Sequence, residues 1–176
     1  MNSDLEDKVV LVTGGAGGIG SVISKSFAEQ GAKVIVHYND SKENAEKISK
    51  EINGFAVNAD LTDSEQTKEL FNSIIQREGK IDICIANAGK YPKDYAPLWE
   101  IESDRWNNTV STNLSLTYNT SRYFLKHAAE TKKGSLVLIG STAGLYGEAG
   151  HADYAAAKGA ITSGLLRTMK NDAALI

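Results

Sequence analysis

Short apolar runs alternate with amphipathic stretches along the whole chain. "KVVLVTG" (8–14) has the unbroken apolar character of a strand buried on both faces. "SVISKSFAEQG" (21–31) has helical spacing and stops at Gly31, and "AKVIVHYN" (32–39) is a second strand. "SKENAEKISKEI" (41–52) reads as a charged helix ending near Gly54, followed by the strand "GFAVNADL" (54–61). "TDSE" (62–65) has a hydroxyl three residues before a glutamate, a capping box that opens a helix through Glu78. "KIDICIANAG" (80–89) predicts a fourth strand, residues 90–101 a loop holding both prolines, and 103–130 a long helix. "GSLVLIGS" (134–141) predicts a fifth strand, "TAGLYGEAG" (142–150) a loop, and the alanine-rich "HADYAAAKGAITSG" (151–164) a final helix.

Strands that alternate with helices pair in parallel and carry helices on both faces. Right-handed crossovers then give an α/β fold with a doubly wound parallel sheet. Ligands of such sheets bind beyond the C-terminal ends of the strands. Gly14, Tyr38, Asp60, Asn87 and Ser141 stand at those ends.

Composition narrows the function classes. The 176 residues fit one domain, with 41% hydrophobic and 23% charged residues. A net charge of -3 gives no basic footprint for nucleic acid, and no apolar run is long enough to span a membrane. The acidic, polar start "MNSDLEDK" is unlike a signal peptide. Cys84 is the single cysteine, so no internal disulfide forms, and a reducing, cytoplasmic setting is expected. Its place in the fourth strand predicts an inert core thiol. His37, His127 and His151 lie far apart, and no Cys/His cluster has metal spacing.

"TGGAGGIG" (13–20) joins the first strand to the first helix. Glycines there allow a tight turn and close approach of a pyrophosphate to the helix N-terminus. Two spacings overlap: Gly15-x-Gly17-x-x-Gly20 and Thr13-Gly14-x-x-x-Gly18-x-Gly20, the latter enclosing Ile19. An acid at the end of the second strand would bind a ribose 2′-hydroxyl and repel a 2′-phosphate. The strand ends at Tyr38-Asn39, and Asp40 comes late enough to serve instead as a helix cap. Lys42 follows, so the reading leans toward NADP, with use of both dinucleotides also realistic.

Tyr154 and Lys158 lie four apart in the last helix and share a face. A nearby ammonium favours the phenolate, which brings a tyrosine toward working pH as an acid/base. A second Tyr-x-x-x-Lys, Tyr38 to Lys42, is accidental. Ser141 ends the fifth strand, and the glycines at 144, 147 and 150 let the intervening loop bring its hydroxyl to the phenol.

The chain resembles the short-chain dehydrogenase/reductase family. "TGGAGGIG" resembles that family's TGxxxGxG loop, "NAD" (58–60) its acidic adenine position, "ANAG" (86–89) its NNAG motif, and "STAGLYGEAGHADYAAAK" (141–158) its active-site segment. The resemblance implies a Rossmann-type fold and hydride transfer between NAD(P) and a carbonyl or secondary alcohol. Tyr154 would be the acid/base, Lys158 would tune it and hold the nicotinamide ribose, Ser141 would bind the substrate oxygen, and Asn113 would position a relay water. Gly14, Gly18, Ile19, Gly20, Tyr38 and Asn39 would bind the dinucleotide. Asp60 and Leu61 would flank its adenine, and Asn87, Ala88 and Gly89, with Tyr154 and Lys158, would line its ribose side.

Gly140 replaces a common serine, and Gly17 stands where NADP-preferring members often carry a basic residue. The family's further C-terminal strands, Pro-Gly segment and substrate loop are not among these residues. The expectation is therefore one NAD(P)-binding domain over 1–176, C-terminally short. The resemblance points to a 3-oxoacyl thioester reductase or a sugar/polyol dehydrogenase. It also points to a homodimer or homotetramer built through the long helix (103–130) and the Tyr–Lys helix. The competing expectation is a non-catalytic or fragmentary nucleotide-binding or scaffold module.

Overall fold

Val9, Val10, Leu11 and Val12 form strand β1 (Val9–Val12), and all four are buried. Val9 and Leu11 pack in one apolar layer with Ile35, Phe71, Ile74 and Phe124, whereas Val10 and Val12 pack in another with Val34, Val36, Ala45 and Ile48. Burial on both faces explains the unbroken apolar run. The computed structural model describes residues 4–175. The two ends of the expected 1–176 domain, residues 1–3 and 176, lie outside the described residues.

Four more strands follow: β2 (Lys33–Tyr38), β3 (Phe55–Asn58), β4 (Ile83–Ala86) and β5 (Ser135–Leu138). They form one sheet in the order β3-β2-β1-β4-β5. Every pairing is parallel, with Val10 opposite both Val34 and Ile83, and Cys84 opposite Leu136. Helices α1 (Gly18–Glu29) and α2 (Lys42–Glu51) cover one face. Helices α3 (Ser64–Glu78) and α5 (Leu116–Thr131) cover the other. The order reverses at β1/β4, and the crevice there is where a doubly wound sheet takes its ligand.

Local differences from the sequence reading have physical causes. The cap of α3 is Asp63, not Thr62. Asp60 Oδ1 accepts the Thr62 hydroxyl at 2.7 Å, while Asp63 Oδ1 accepts the Glu65 and Gln66 N–H groups at 2.8 and 3.1 Å. The long helix is α4 (Ser103–Val110) and α5, joined by a π-helical turn, Ser111–Ser115. The stretch expected as a loop at 142–150 contains a short helix, α6 (Ala143–Tyr146). The alanine-rich helix is α7 (Ala152–Gly159), and it runs on through a second π turn, Ala160–Leu165, into α8 (Leu166–Ala173). Cys84 is buried in β4, and burial pushes its thiol pKa far above the ordinary value.

Candidate active site

A cleft of about 720 Å³ opens over the β1/β4 switch point. Gly14, Gly18, Ile19, Gly20, Tyr38, Asn39, Asp60, Leu61, Asn87, Ala88 and Gly89 all line it. Gly15 does not. Its N–H bonds the His37 carbonyl at 2.9 Å, and a Cβ there would stand 2.9 Å from the Val12 carbonyl oxygen. The spacing Gly14-x-x-x-Gly18-x-Gly20 is therefore the one displayed to the cleft.

The glycine loop is held from three sides. The Asn87 side chain donates to the Thr13 carbonyl at 2.9 Å, and its backbone N–H donates to the Thr13 hydroxyl oxygen at 3.0 Å. Gly14 takes the left-handed conformation, φ +61°, which favours glycine. His37 supplies the third tie: its Nδ1 accepts the Gly14 N–H at 3.0 Å and its Nε2 lies 3.0 Å from the Ala59 carbonyl. A carbonyl only accepts, so the ring proton sits on Nε2. Burial lowers the His37 pKa to about 4, outweighing the Ala59 bond and Asp60 charge that raise it. Sequence reading gave His37 no role, since nothing local marks a β2 histidine as the partner of two segments 22 and 23 residues away.

Helix α1 begins with Gly17 at its cap, makes no side-chain cap bond, and has no acid in its first turn. Its first N–H groups are open to an anion, where α3 has used Asp63. A Cβ on Gly20 would run into the Gly14 carbonyl and stand 2.8 Å from Asn87 Nδ2. Glycine keeps α1 close beneath the loop. Gly20→Ala should weaken dinucleotide binding about tenfold or more, the scale of an overpacked contact. Titration with reduced dinucleotide, followed by nicotinamide fluorescence, checks this; unchanged affinity would mean that the close approach has no bearing on the ligand.

Tyr154 and Lys158 lie on α7 as expected, and Lys158 Nζ stands 5.8 Å from the Tyr154 ring centroid. Lys158 is 4% exposed, donates to the Ile139 carbonyl at 2.9 Å, and has its pKa lowered by burial. Asn113 is fully buried in the π turn, where Nδ2 donates to the carbonyls of Lys90 and Thr109 at 2.9 and 3.0 Å. Its Oδ1 is buried with no hydrogen-bond partner. A Cβ on Gly89 would stand 2.8 Å from Asn113 Oδ1 and 3.6 Å from Lys158 Nζ. Gly89 thus links the cleft wall to both groups.

Ser141 Oγ accepts the Ala143 N–H at 3.2 Å. Among the described residues no hydrogen bond joins it to Tyr154. The loop does fold back onto the Tyr–Lys helix: a Cβ on Gly144 would stand 2.6 Å from Gly159 N. Tyr154 and Lys158 are beside the cleft rather than among its lining residues. Tyr38 ends β2 and Lys42 opens α2, so the second Tyr-x-x-x-Lys shares no helix. Lys42 is drawn to Glu46 (3.8 Å) and does not line the cleft, whereas Asp40 and Asp60 do.

Aromatic side chains gather around Tyr154. Tyr91 packs edge-on to it at 5.0 Å, stacks on His151 at 4.7 Å, and donates its hydroxyl to Glu148 at 2.7 Å. These contacts cross between loops that carry no joint motif.

A parallel sheet in this order, with a glycine loop and an open helix N-terminus at its switch point, defines the dinucleotide-binding class of α/β proteins. Within it, the chain belongs to the short-chain dehydrogenase family, whose profile matches residues 8–175. As a member it is an oxidoreductase. It is 34% identical over 175 residues to the 3-oxoacyl-(acyl-carrier-protein) reductase FabG of Thermotoga maritima, covering 97% of this chain and 70% of that protein. The enzyme of the same name from Salmonella typhimurium is 35% identical over 155 residues, 87% of this chain and 62% of that one. A crystal structure of NAD+-bound xylitol dehydrogenase superposes with a TM-score of 0.90 at 28% identity, covering 98% of this chain and 67% of that chain. Among the described residues no helix is long and apolar enough to cross a membrane, and no group of three acidic, His or Cys side chains could hold a metal ion.

Proposed function

We propose that the protein interconverts a carbonyl and a secondary alcohol with a nicotinamide dinucleotide, using Asn113, Ser141, Tyr154 and Lys158. The observation that carries this is the approach of the unpartnered Asn113 Oδ1 and the Lys158 ammonium to Gly89 on the cleft wall. The dinucleotide fits the residues present: a glycine cradle that a Cβ would fill, open N–H groups at α1, and a cleft of the volume such ligands need. When bound, the nicotinamide supplies or accepts the hydride. Tyr154 gives its phenolic proton to the carbonyl oxygen during reduction and takes it back in the reverse direction. Ser141 donates a hydrogen bond to that oxygen as charge develops on it. Asn113 Oδ1 holds a water beside Lys158, and that water restores the Tyr154 proton.

At the adenosine end the reading is NAD rather than NADP. Asp40 and Asp60 line the cleft there, the buried His37 is neutral, and the one cation on which the NADP reading leaned, Lys42, is paired with Glu46. Two carboxylates on the cleft wall disfavour a 2′-phosphate. For substrate, a 3-oxoacyl thioester is the reading. It is the activity for which the two bacterial relatives are named, and the segment 90–101 and α6 expose Tyr95, Leu98, Trp99, Leu145 and Tyr146. Trp106 and Tyr118 leave apolar surface on α4 and α5, which supports a homodimer through the long helix.

The test is oxidation of NADH and NADPH by the full chain against a 3-oxoacyl thioester and a ketose, with the mass in solution measured on the same sample. NADH is expected to bind about tenfold more tightly than NADPH, a difference of about 1.4 kcal/mol. Dinucleotide binding without turnover of any carbonyl would favour the module without chemistry. A monomer in solution would remove the dimer reading.

A further inference from the structure

One guanidinium joins three segments around Tyr154. Arg105, on α4, donates through Nε and Nη2 to both carboxylate oxygens of Asp153, at 3.0 and 3.4 Å. Its Nη2 also donates to the Gly150 carbonyl at 3.1 Å, and Nη1 donates to the Asp94 carbonyl at 2.8 Å. The Arg105 side chain is 21% exposed and Asp153 is fully buried. Thr109, one turn further along α4, donates its hydroxyl to Asp153 Oδ2 at 2.8 Å. Burial works against the Asp153 charge, yet the bonds from Arg105 and Thr109 bring its carboxyl below the ordinary range.

We infer that Arg105 is a positioning residue of the active site, fixing Tyr154 and the aromatic side chains around it through Asp153 and the carbonyls of Asp94 and Gly150. Asp153 is the residue before Tyr154 and lies in the first turn of α7, where a carboxylate complements the helix dipole. That helix has no side-chain cap at His151, and Arg105, with Thr109, anchors its first turn through Asp153. The carbonyl at Asp94 lies three residues beyond Tyr91, and that at Gly150 lies one before His151. Tyr91 stacks on His151 and meets the Tyr154 ring edge-on. Both ends of this aromatic bracket are therefore tied to the same side chain. The Ala96 N–H donates to the Gly150 carbonyl at 3.1 Å and adds a second tie between the two loops.

A lysine cannot take this place. It keeps the charge, but its compact ammonium does not serve a carboxylate fork and two carbonyls in one plane. None of Arg105, Asp94, Gly150 or Asp153 lines the dinucleotide cleft. The consequence of losing the clamp falls on proton transfer and the carbonyl substrate, not on the dinucleotide.

The inference rests on Tyr154 as the acid/base, so wild type and Tyr154→Phe are measured first. Activity in Tyr154→Phe equal to wild type would overturn that reading and this one with it. With Tyr154→Phe inactive, Arg105→Lys in the full chain is expected to lower kcat about tenfold or more, the scale of a misplaced catalytic group. The NADH dissociation constant should stay within about twofold, and the Tyr154 ring resonances should move as the Tyr91 ring leaves its edge-on place. The double variant Arg105→Met/Asp153→Leu removes the pair without leaving a buried charge, which protects folding; it should show the same low kcat with NADH binding kept. A wild-type kcat in either variant overturns the inference. So does a loss of NADH affinity in step with kcat, because that is general loosening of the fold.

Discussion

Tyr154→Phe is expected to lower kcat by about 10²- to 10⁴-fold, the contribution of a positioned acid/base. Dinucleotide affinity should stay within about twofold, since Tyr154 does not line the cleft. The change deletes one oxygen and leaves the ring, so the edge-on packing against Tyr91 at 5.0 Å and the approach of Lys158 at 5.8 Å can both persist. Stability should change by less than about 0.5 kcal/mol, as for a substitution that opens no cavity and orphans no buried partner. Steady-state kinetics, NADH titration and a melting curve on one preparation separate the outcomes. Low kcat with intact NADH binding and intact melting fits proton transfer by the phenol. Undiminished kcat removes Tyr154 from that role. A fall in all three quantities would mean that the hydroxyl holds structure, and the proton donor would have to be sought elsewhere.

The parts of this molecule legible in its sequence are those whose physics is local. Periodicity separated "KVVLVTG" from "SVISKSFAEQG" because burial on two faces and burial on one leave different patterns. The glycine loop was legible because tight turn, close helix and open N–H groups all fall within eight residues. Tyr154 and Lys158 were legible because one helical turn aligns them. The π turn around Asn113 was not, since an i+5 bond leaves no composition of its own, and only the structure shows that the asparagine is buried with a free oxygen. The cap of α3 fell one residue away because Asp60 claims the Thr62 hydroxyl, and a spacing rule does not see that rivalry. Arg105 with Asp153, and Tyr91 with Glu148, join positions 48 and 57 apart in sequence. Nothing in either partner's neighbourhood announces the other.

His37 is the part hidden most completely, and it yields the second large effect. Its ring is 2% exposed, with both nitrogens engaged by groups that fix the neutral form: an N–H facing Nδ1 and a carbonyl facing Nε2. Protonation would set an N–H against the Gly14 N–H. The folded-state pKa is lowered from 6.5 to about 4. Between those values the unfolded chain binds a proton that the folded chain refuses, so acid favours unfolding. The stability that His37 provides is complete above about pH 6.5 and is lost as pH falls toward about 4, by about 3 kcal/mol in all at 1.36 kcal/mol per unit. Denaturant unfolding at pH 7 and pH 4.5 should show most of this loss in the wild type. In His37→Asn, which has no proton to bind, the slope across the same window should be flatter by about 1 kcal/mol per unit. Asp63, Asp82 and Asp153, whose carboxyls are held below the ordinary range, lose their contributions only at more acid pH, so the upper part of the window belongs to the imidazole. Equal slopes in wild type and variant would overturn the imidazole's role. A direct NMR titration of the ring in the folded wild type tests the same point without a substitution: a midpoint near 6.5 would mean that the glycine loop is not tied to β3 through His37. Because the folded protein keeps the ring neutral through this window, the bond to the Gly14 N–H persists, and dinucleotide affinity should hold until the pH approaches about 4 and then fall.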